Sequence, residues 1–342
     1  MYLPTLTSTF AAVALSVALA SCGGGGSDGT ANGDTTNIGA GSPLPGTSMA
    51  IITTAPATPS YTGEELGAYN QLNAARSTCG FGYLQQNTHI DTAASNHVSW
   101  EIANAAYGHT EVAGTTAFTG VSPGDRMLAA GYVFSGTWSY GEIIDALGSA
   151  NKTGFGVAGI NNLLGAHYHL VGAMSSAREM GVSVKSGGPS GADLIATAKV
   201  SHIVVNMAYT GNVLPQLQAA SEVLTYPCQG ITGTNWQLQG ETPSPVPSRN
   251  LAISPIGIPI FVQVLQGNTL TIASASVIGP AGPVALLPTM TSANDPNKEL
   301  APHQAIIMPN VPLKPSTSYR VSISGLNSGV AFSRNFSFQT GS

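Results

Sequence analysis

Two stretches rich in glycine and proline divide the chain and limit what it can fold into. Residues 22–60 contain GGGGSDGTANGDTTNIGAGSPLPG and a Thr/Pro/Ala run, and residues 240–250 read GETPSPVPSRN. Neither stretch carries enough apolar side chains to form a core, so we predict a disordered tether at 22–60 and a linker at 240–250. The segments 61–239 and 251–342 are then long enough for one domain each.

Charged residues are scarce across the whole chain. The sequence has 11 Lys and Arg residues against 16 Asp and Glu residues, or 8% charged residues, where a typical soluble domain has about 25%. The net charge of −5 provides no basic stripe for phosphate groups, so we expect no nucleic-acid partner. The 41 glycines and 22 prolines favour turns and short strands over a helical bundle.

Residues 1–21 are expected to be an export signal. Phe10–Ala20 is an apolar run too short to span a bilayer as a helix, and it leads into Ser21 and Cys22. The Leu-Ala-Ser-Cys ending resembles the lipobox of bacterial lipoproteins, whose signal is removed before a cysteine that carries the lipid. No Lys or Arg precedes the apolar run, which departs from that pattern. The alternative is an ordinary secretory signal with a chance cysteine.

The lipoprotein resemblance implies an exported, membrane-anchored protein. A lipid on Cys22 would anchor the chain without a transmembrane helix. Gly23 stands where inner-membrane lipoproteins carry aspartate, which favours the outer membrane, with the domains facing the periplasm or the exterior. In such an oxidising compartment the other two cysteines, Cys79 and Cys228, are expected to form a disulfide, with two buried thiols as the alternative.

Helical spacing precedes strand-like spacing in the segment 61–239. Thr62 and Glu65 have capping-box spacing, a second helix is expected from Asp91 to Gly108, and a proline-opened third helix follows. The third and fourth expected helices start near Ser122 and Phe155, and the expected strands are Gly181–Lys185 and Ile203–Tyr209. Helices gathered before strands indicate an α+β fold.

Six short motifs of this segment occur in a characteristic order. They are LNAARSTCG (72–80), GHTE (108–111), FTGVSPGDRMLAAGY (118–132), GEII (141–144), HYHLV (167–171) and REMGVSV (178–184). This order resembles that of bacterial CAP-superfamily domains, the SCP-like relatives of cysteine-rich secretory proteins, antigen 5 and pathogenesis-related 1. The resemblance implies an α-β-α sandwich with a central antiparallel sheet. It also implies an open cleft with two histidines and two acidic residues.

The resemblance assigns three residues to this cleft and leaves the second acid open. His109, Glu142 and His169 match family positions, and the second acid is Glu111 or Asp145. Glu111 lies beside His109 if H-x-E is extended, whereas a helical turn would align Asp145 with Glu142. We expect the five residues to bind a ligand, with His109 and His169 as candidate ligands of zinc or another divalent metal.

Other interpretations of the same motifs remain open. His167 shares a face with His169 if that segment is extended, and His97 is interpreted as a core or supporting residue of the second helix. A buried polar network that fixes the loops would also explain the whole set. Three polar positions of the family pattern are lost, which disfavours catalysis. They are now Ile143, Leu170 and Gly172.

Alternating apolar residues predict an all-β fold for residues 251–342. Val321 and Ile323 alternate with polar residues, and Phe336 and Phe338 share one face of a final strand. The runs PLKPSTSYRVSISG and NSGVAFSRNFSFQTG resemble bacterial Ig-like domains, which implies a β-sandwich. No polar cluster is present in this segment, so a spacer or adhesive role is expected.

Two functions fit these expectations. In the first, a surface-anchored protein binds a small apolar or sterol-like ligand, an extracellular protein or a divalent metal without turnover. In the second, a peptidase-like, metal-assisted hydrolase uses a histidine-bound water with Glu142 as the general base. The lost polar positions favour binding over catalysis.

Overall fold

The computed structural model describes residues 49–147, 153–187, 200–211 and 214–342. The predicted signal, the predicted lipidation site Cys22 and most of the predicted tether lie outside the described residues. Within the described ranges the chain forms five helices and three four-stranded, mainly antiparallel sheets. This mixed architecture agrees with the expected α+β class. No helix in these ranges is both long and apolar enough to cross a membrane.

Five helices and four strands form the helical half of the fold. The helices are α1 (Gly63–Thr78), α2 (Thr88–Asn104), α3 (Pro123–Ala129), α4 (Phe155–Leu164) and α5 (His167–Ala173). The strands are β1 (Gln85–Gln86), β2 (Ser139–Leu147), β3 (Glu179–Gly187) and β4 (Val200–Tyr209). They are ordered β1-β3-β4-β2, antiparallel except for the β1–β3 pair, so β2 is an edge strand.

Successive side chains of β2 face different helical layers. Ile144 packs with apolar residues of α2, whereas Ile143 lies in a core with Leu170 of α5. The first sheet is therefore covered by α2 and α3 on one face and by α1, α4 and α5 on the other. Because side chains alternate along a strand, Glu142 and Asp145 lie on opposite faces of this sheet.

The starts of α2 and α3 follow from capping chemistry. The predicted proline-opened helix is α3, with Pro123 in its first turn, and Ser122 and Asp125 form a reciprocal capping box at its start. The predicted start of α2 is wrong by three residues. Its N-cap is Asn87, whose side chain accepts hydrogen bonds from the backbone of the first turn, so the helix begins at Thr88.

The predicted cap of α1 and the predicted end of α2 are also wrong. Thr62 occupies the N-cap position of α1, but its side chain makes no capping hydrogen bond. Glu65 instead accepts a hydrogen bond from the backbone N–H of Val184 at 3.2 Å, which ties α1 to β3. Helix α2 ends at Asn104, before the expected glycine, because Ala105 adopts a left-handed conformation.

Eight further strands form two antiparallel sheets. They are β5 (Leu224–Tyr226), β6 (Ile260–Gln263), β7 (Leu270–Gly279), β8 (Gly282–Pro283), β9 (Met290–Thr291), β10 (Gln304–Ile307), β11 (Ser318–Asn327) and β12 (Val330–Gln339). One sheet has the order β5-β6-β10-β9 and the other the order β12-β11-β7-β8. The turn after β6 thus leads from one sheet into the other.

These two sheets enclose a common core. Val262 and Ile307 from one sheet pack with Val321, Phe336 and Phe338 from the other. Burial alternates along β11, and both phenylalanines of β12 face the core, as their spacing predicted. The segment after residue 251 is therefore all-β among the elements described.

The outer face of the β6–β10 sheet packs against the helical half. Phe261 and Ile306 belong to the same buried core as Leu72 of α1 and Tyr168 of α5. The rings of Phe81 and Phe261 stack with centroids 6.1 Å apart. Apolar residues from both sides of the predicted linker thus form one core.

The disulfide and the neighbouring strand also join the two parts of the chain. Cys79 ends α1 and is bonded to Cys228, with 5.5 Å between their Cα atoms, which confirms the predicted pair. Strand β5 ends directly before Pro227 and Cys228, and it pairs with β6. At the other end, the backbone N–H of Ile52 donates to Gln216 at 2.7 Å, so the end of the predicted tether contacts the fold.

Candidate functional site

A buried charged network lies between α2, α3 and β2. His97 comes from the inner face of α2, Arg126 from α3 and Glu142 from β2, while His109 and Glu111 lie in the loop between the two helices. Four of these side chains are almost completely buried, and His109 alone is partly exposed, at 18% of its side chain. The loop therefore presents one member of the network to solvent.

Arg126 and Glu142 form a bidentate ion pair at the centre of the network. The Nη2 group of Arg126 donates to both carboxylate oxygens of Glu142, at 2.9 and 2.7 Å. Its Nη1 group donates to the backbone oxygens of His109 and Val121. Burial alone would raise the pKa of Glu142, but the Arg126 charge, with help from two histidines, holds it well below its usual range. Glu142 is therefore ionised.

His97 has a hydrogen-bond acceptor at each ring nitrogen. Nδ1 lies 3.0 Å from Glu111 and Nε2 lies 2.8 Å from the backbone oxygen of Gly108. A neutral imidazole has only one N–H, so the protonated ring alone can donate to both. Burial lowers the pKa of His97, but the Glu142 charge and the hydrogen bond to Glu111 outweigh burial and the pKa is raised.

His109 and Asn206 carry further hydrogen-bonding groups of the network. Nδ1 of His109 donates to Glu142 at 2.9 Å, which fixes the ring and leaves Nε2 as an acceptor. Asn206 is fully buried on β4, directly opposite Glu142 in the strand register. Neither Nε2 of His109 nor the Asn206 amide has a hydrogen-bond partner among the described residues.

A second network forms at the start of α5. Both oxygens of Glu241 accept hydrogen bonds from the first backbone N–H groups of this helix, namely His167 and Tyr168 at 2.7 Å and His169 at 3.2 Å. The N-cap residue Ala166 has no side chain that could do so. The ring of His169 also contacts Glu241 at 3.2 Å. A carboxylate from the predicted linker therefore caps α5.

The structure corrects two geometric expectations about the cleft. Residues His167 and His169 lie on a helix, so they do not share the face that an extended segment would give them. Asp145 is on a strand, so no helical turn aligns it with Glu142. Asp145 accepts a hydrogen bond from α4 at 2.9 Å, and burial raises its pKa.

The predicted ligand-binding residues divide between the two networks. The structure brings together His109, Glu111 and Glu142, while His169 and Asp145 lie in the second group, on the α4–α5 face of the sheet. Each histidine of the expected zinc pair thus contacts its own carboxylate. Among the described ranges, no three His, Cys, Asp or Glu side chains are arranged to hold a metal ion. The described residues do not fit the expected two-histidine zinc site.

Sequence reasoning undervalued three residues of these networks. His97 was expected to be a core or supporting residue and Glu241 part of a linker, while Arg126 was given no place in the cleft. The signal that could have identified them is the low charge of the chain. Where only 8% of residues are charged, each arginine or glutamate is a candidate for a buried ion pair, but its position in the sequence does not identify its partner.

Ser122 belongs to a G-x-S-x-G sequence at residues 120–124, the spacing of a serine-nucleophile turn. In the structure its hydroxyl donates to Asp125 at 2.8 Å and accepts the backbone N–H of the same residue. Capping of α3 therefore accounts for this serine.

No known protein family and no curated protein matches this chain. The resemblance to CAP and Ig-like domains therefore depends on the sequence motifs quoted above, and the chemistry of the site depends on its geometry.

Exposed apolar side chains are concentrated in the segment of the chain that contains α3 and follows His109. Of the ten large apolar side chains that are exposed in the described part of the chain, five lie in residues 112–138. We call these five the apolar rim; they are Val112, Val121, Leu128, Val133 and Trp138. The backbone hydrogen bond from Glu111 to Val121, at 3.1 Å, joins the rim to the charged network. A concentration of exposed apolar groups is typical of a binding surface.

Proposed function

We propose that the chain is an exported, lipid-anchored binding protein that holds an amphipathic, sterol-like or lipid-like ligand without turnover. The observation that carries the proposal is the apolar rim, which the hydrogen bond from Glu111 to Val121 joins to the network of His109. The rim would cover the hydrocarbon part of such a ligand, at about 25 cal/mol for each Å² of apolar surface removed from water. Nε2 of His109 is buried and has no partner among the described residues, so it would accept a hydrogen bond from a ligand hydroxyl group that reaches in past the partly exposed ring.

The ion pair of Glu142 favours binding over hydrolysis. A general base needs a carboxylate oxygen that can reach a water molecule, but both oxygens of Glu142 are held by Arg126, and one also contacts His109. Releasing Glu142 would leave Arg126 buried without its partner, which costs about 3–5 kcal/mol. The apolar residues Ile143 and Leu170 are buried in the core and provide no polar group in their place.

We also propose that the helical half is a CAP-like domain and that the two later sheets form an Ig-like sandwich. The layered architecture supports both assignments. Helices on both faces of a central sheet fit the α-β-α sandwich that the motifs imply. Two antiparallel sheets around one core fit an Ig-like sandwich.

The lipid anchor is tested separately, because Cys22→Ser should move the protein from the membrane to the soluble exported fraction. Unchanged fractionation would contradict the anchor.

Ligand binding can be tested with a fluorescent sterol and a fluorescent fatty acid, titrated into the full chain. Val133→Ser and His109→Ala should each weaken binding of at least one probe by about tenfold or more. Val330→Ser is the matched control, because Val330 and Val133 are 70% and 69% exposed and Val330 lies on β12. Equal affinities for all four proteins would contradict the proposal.

The same titration distinguishes metal-free binding from the zinc interpretation. Treatment with a chelator should leave probe binding unchanged if His109 contacts the ligand directly. Binding that disappears with chelation and returns with zinc would favour a metal site instead. Hydrolysis of a peptide library that Glu142→Gln abolishes would favour the hydrolase interpretation.

A further inference from the structure

A cavity lies between the helical half and the β-sandwich. Its volume is about 260 Å³, close to the lower end of the roughly 300–1,000 Å³ that is typical of small-molecule sites. The ends of β2 and β4 and helix α5 form one wall, and β6 and β10 form the other. Ligand sites occur preferentially at such junctions between structural units.

Glutamine side chains dominate the polar lining of this cavity. Five of the chain's twelve glutamines line it, namely Gln216, Gln218, Gln263, Gln266 and Gln304. Each is neutral and can both donate and accept hydrogen bonds. The lining is therefore rich in groups that match hydroxyl groups, which also donate and accept.

Three of these amides form a chain that leaves donors for a ligand. Nε2 of Gln218 donates to the backbone oxygen of Gln263 at 3.0 Å, and Nε2 of Gln263 donates to Oε1 of Gln218 at 3.2 Å. Nε2 of Gln304 donates to Oε1 of Gln263 at 3.2 Å. Each amide group has two hydrogens, so one on each residue remains. Gln216 differs, because it donates to two backbone carbonyls and supports the wall.

The charges around the cavity exclude an anionic ligand. No Lys or Arg is among the residues that line it. Glu142 and Glu299 line the cavity, but the carboxylate of Glu142 is paired with Arg126 on the other face of the sheet. Burial lowers the pKa of His303, so this imidazole is neutral near pH 7. A phosphate or carboxylate would meet no cation there. A neutral ligand with several hydroxyl groups meets amides on several sides.

Tyrosine rings supply the apolar surface that such a ligand also needs. Tyr168, Tyr209 and Met207 line the cavity, whereas the ring of Tyr140 packs against α3 on the other face of the sheet. The hydroxyl group of Tyr168 is held by Asp295 at 2.6 Å and by Asn297, which fixes that ring in place. Aromatic side chains combine an apolar face with a polar tip. From these observations we propose that the cavity is a binding site for a neutral saccharide of one or two sugar rings. It is distinct from the rim site.

Gly141 provides a test that leaves the surrounding groups in place. It lies on β2, lines the cavity, and a Cβ atom added there would meet no atom within 4 Å. Gly141→Val places a strand-compatible side chain in this space. Calorimetric titration of the full chain should use glucose, N-acetylglucosamine, maltose and, as the anionic comparison, glucuronate. At least one neutral sugar should bind with one-to-one stoichiometry, and Gly141→Val should weaken it by about tenfold or more.

Two further variants separate this cavity from other surfaces. Ser322→Val adds a similar side chain to the exposed face of β11, and Trp138→Ala removes an aromatic group of the rim. Both should bind the sugar as the unmodified chain does. If Gly141→Val does not fold, Gln266→Ala at an exposed position replaces it and should weaken binding by about threefold or more. Absence of saturable binding, glucuronate binding of equal strength, or loss of binding in Trp138→Ala alone would overturn the proposal.

Discussion

Replacing Arg126 by methionine should destabilise the protein strongly at neutral pH. Methionine keeps much of the side-chain length but removes the guanidinium that is bidentate to Glu142. Removing one partner of a buried ion pair lowers the free energy of unfolding by about 3–5 kcal/mol, because the other charge stays buried without a partner. Two donated hydrogen bonds to backbone carbonyls are lost as well, at about 1 kcal/mol each. We expect the free energy of unfolding to fall by about 5 kcal/mol at pH 7.

The pH dependence of this effect has a defined sign. In the unmodified protein the folded-state pKa of Glu142 is lowered, so its contribution to stability is present above the unfolded pKa, about 4.3, and is lost as the pH falls. Without Arg126, burial dominates and raises the pKa of Glu142. The variant then takes up a proton on folding and gains stability toward acid. The difference between the two proteins should therefore shrink between pH 7 and pH 4.

Urea unfolding followed by circular dichroism at pH 7, 5.5 and 4 measures this difference. Arg320→Met is the control, because Arg320 is exposed on β11, and it should change stability by no more than about 0.5 kcal/mol at any pH. A loss of less than about 1 kcal/mol for Arg126→Met at pH 7 would refute a buried, charged pair. A loss that grows toward pH 4 would refute the ionised state of Glu142.

Three other substitutions or treatments test separate features. Glu241→Gln should lower the free energy of unfolding by about 1–2 kcal/mol, because one oxygen and no charge would then cap α5, and an unchanged urea midpoint would contradict that capping. Reducing the disulfide between Cys79 and Cys228, 149 residues apart, should cost up to about 5 kcal/mol in a thermal melt, and an identical melt with reductant would contradict this estimate. Gly181→Ala should lower the free energy of unfolding by about 3 kcal/mol or more, because its Cβ would lie 2.2 Å from the backbone of α2. Gly141→Ala is the control and should leave stability nearly unchanged, because its Cβ would meet no atom within 4 Å. Similar urea midpoints for the two variants would contradict the close approach at Gly181.

Local chemistry made some elements predictable. A serine, a proline and an aspartate in the right order start α3 because they supply the cap, the fixed φ angle and the reciprocal bond within four residues. Alternation along β11 is likewise local, because every second side chain faces the core. The disulfide followed from two cysteines in a chain expected to be exported.

Contacts between distant segments were not predictable in the same way. The GEII motif is too short to distinguish a helix from a strand, and that choice decides whether Asp145 faces the same side as Glu142. Glu241 lies more than 70 residues from the helix that it caps, in a stretch whose prolines indicate a linker. The sequence spacing of Asp145 and Glu241 does not indicate which residues they contact, because those contacts depend on how the sheets and helices pack.

The core that contains both Phe81 and Phe261 means that neither half of the chain is self-sufficient. A fragment ending at residue 239 would keep its disulfide but would lose Glu241 and the apolar side chains of β6 and β10 that close its interior. The isolated sandwich would expose Phe261 and Ile306 to water, and such an exposed apolar surface promotes aggregation. Separating the two halves therefore requires that part of each half unfolds. Heat, mechanical force or a protease should accordingly unfold the two halves in one cooperative transition.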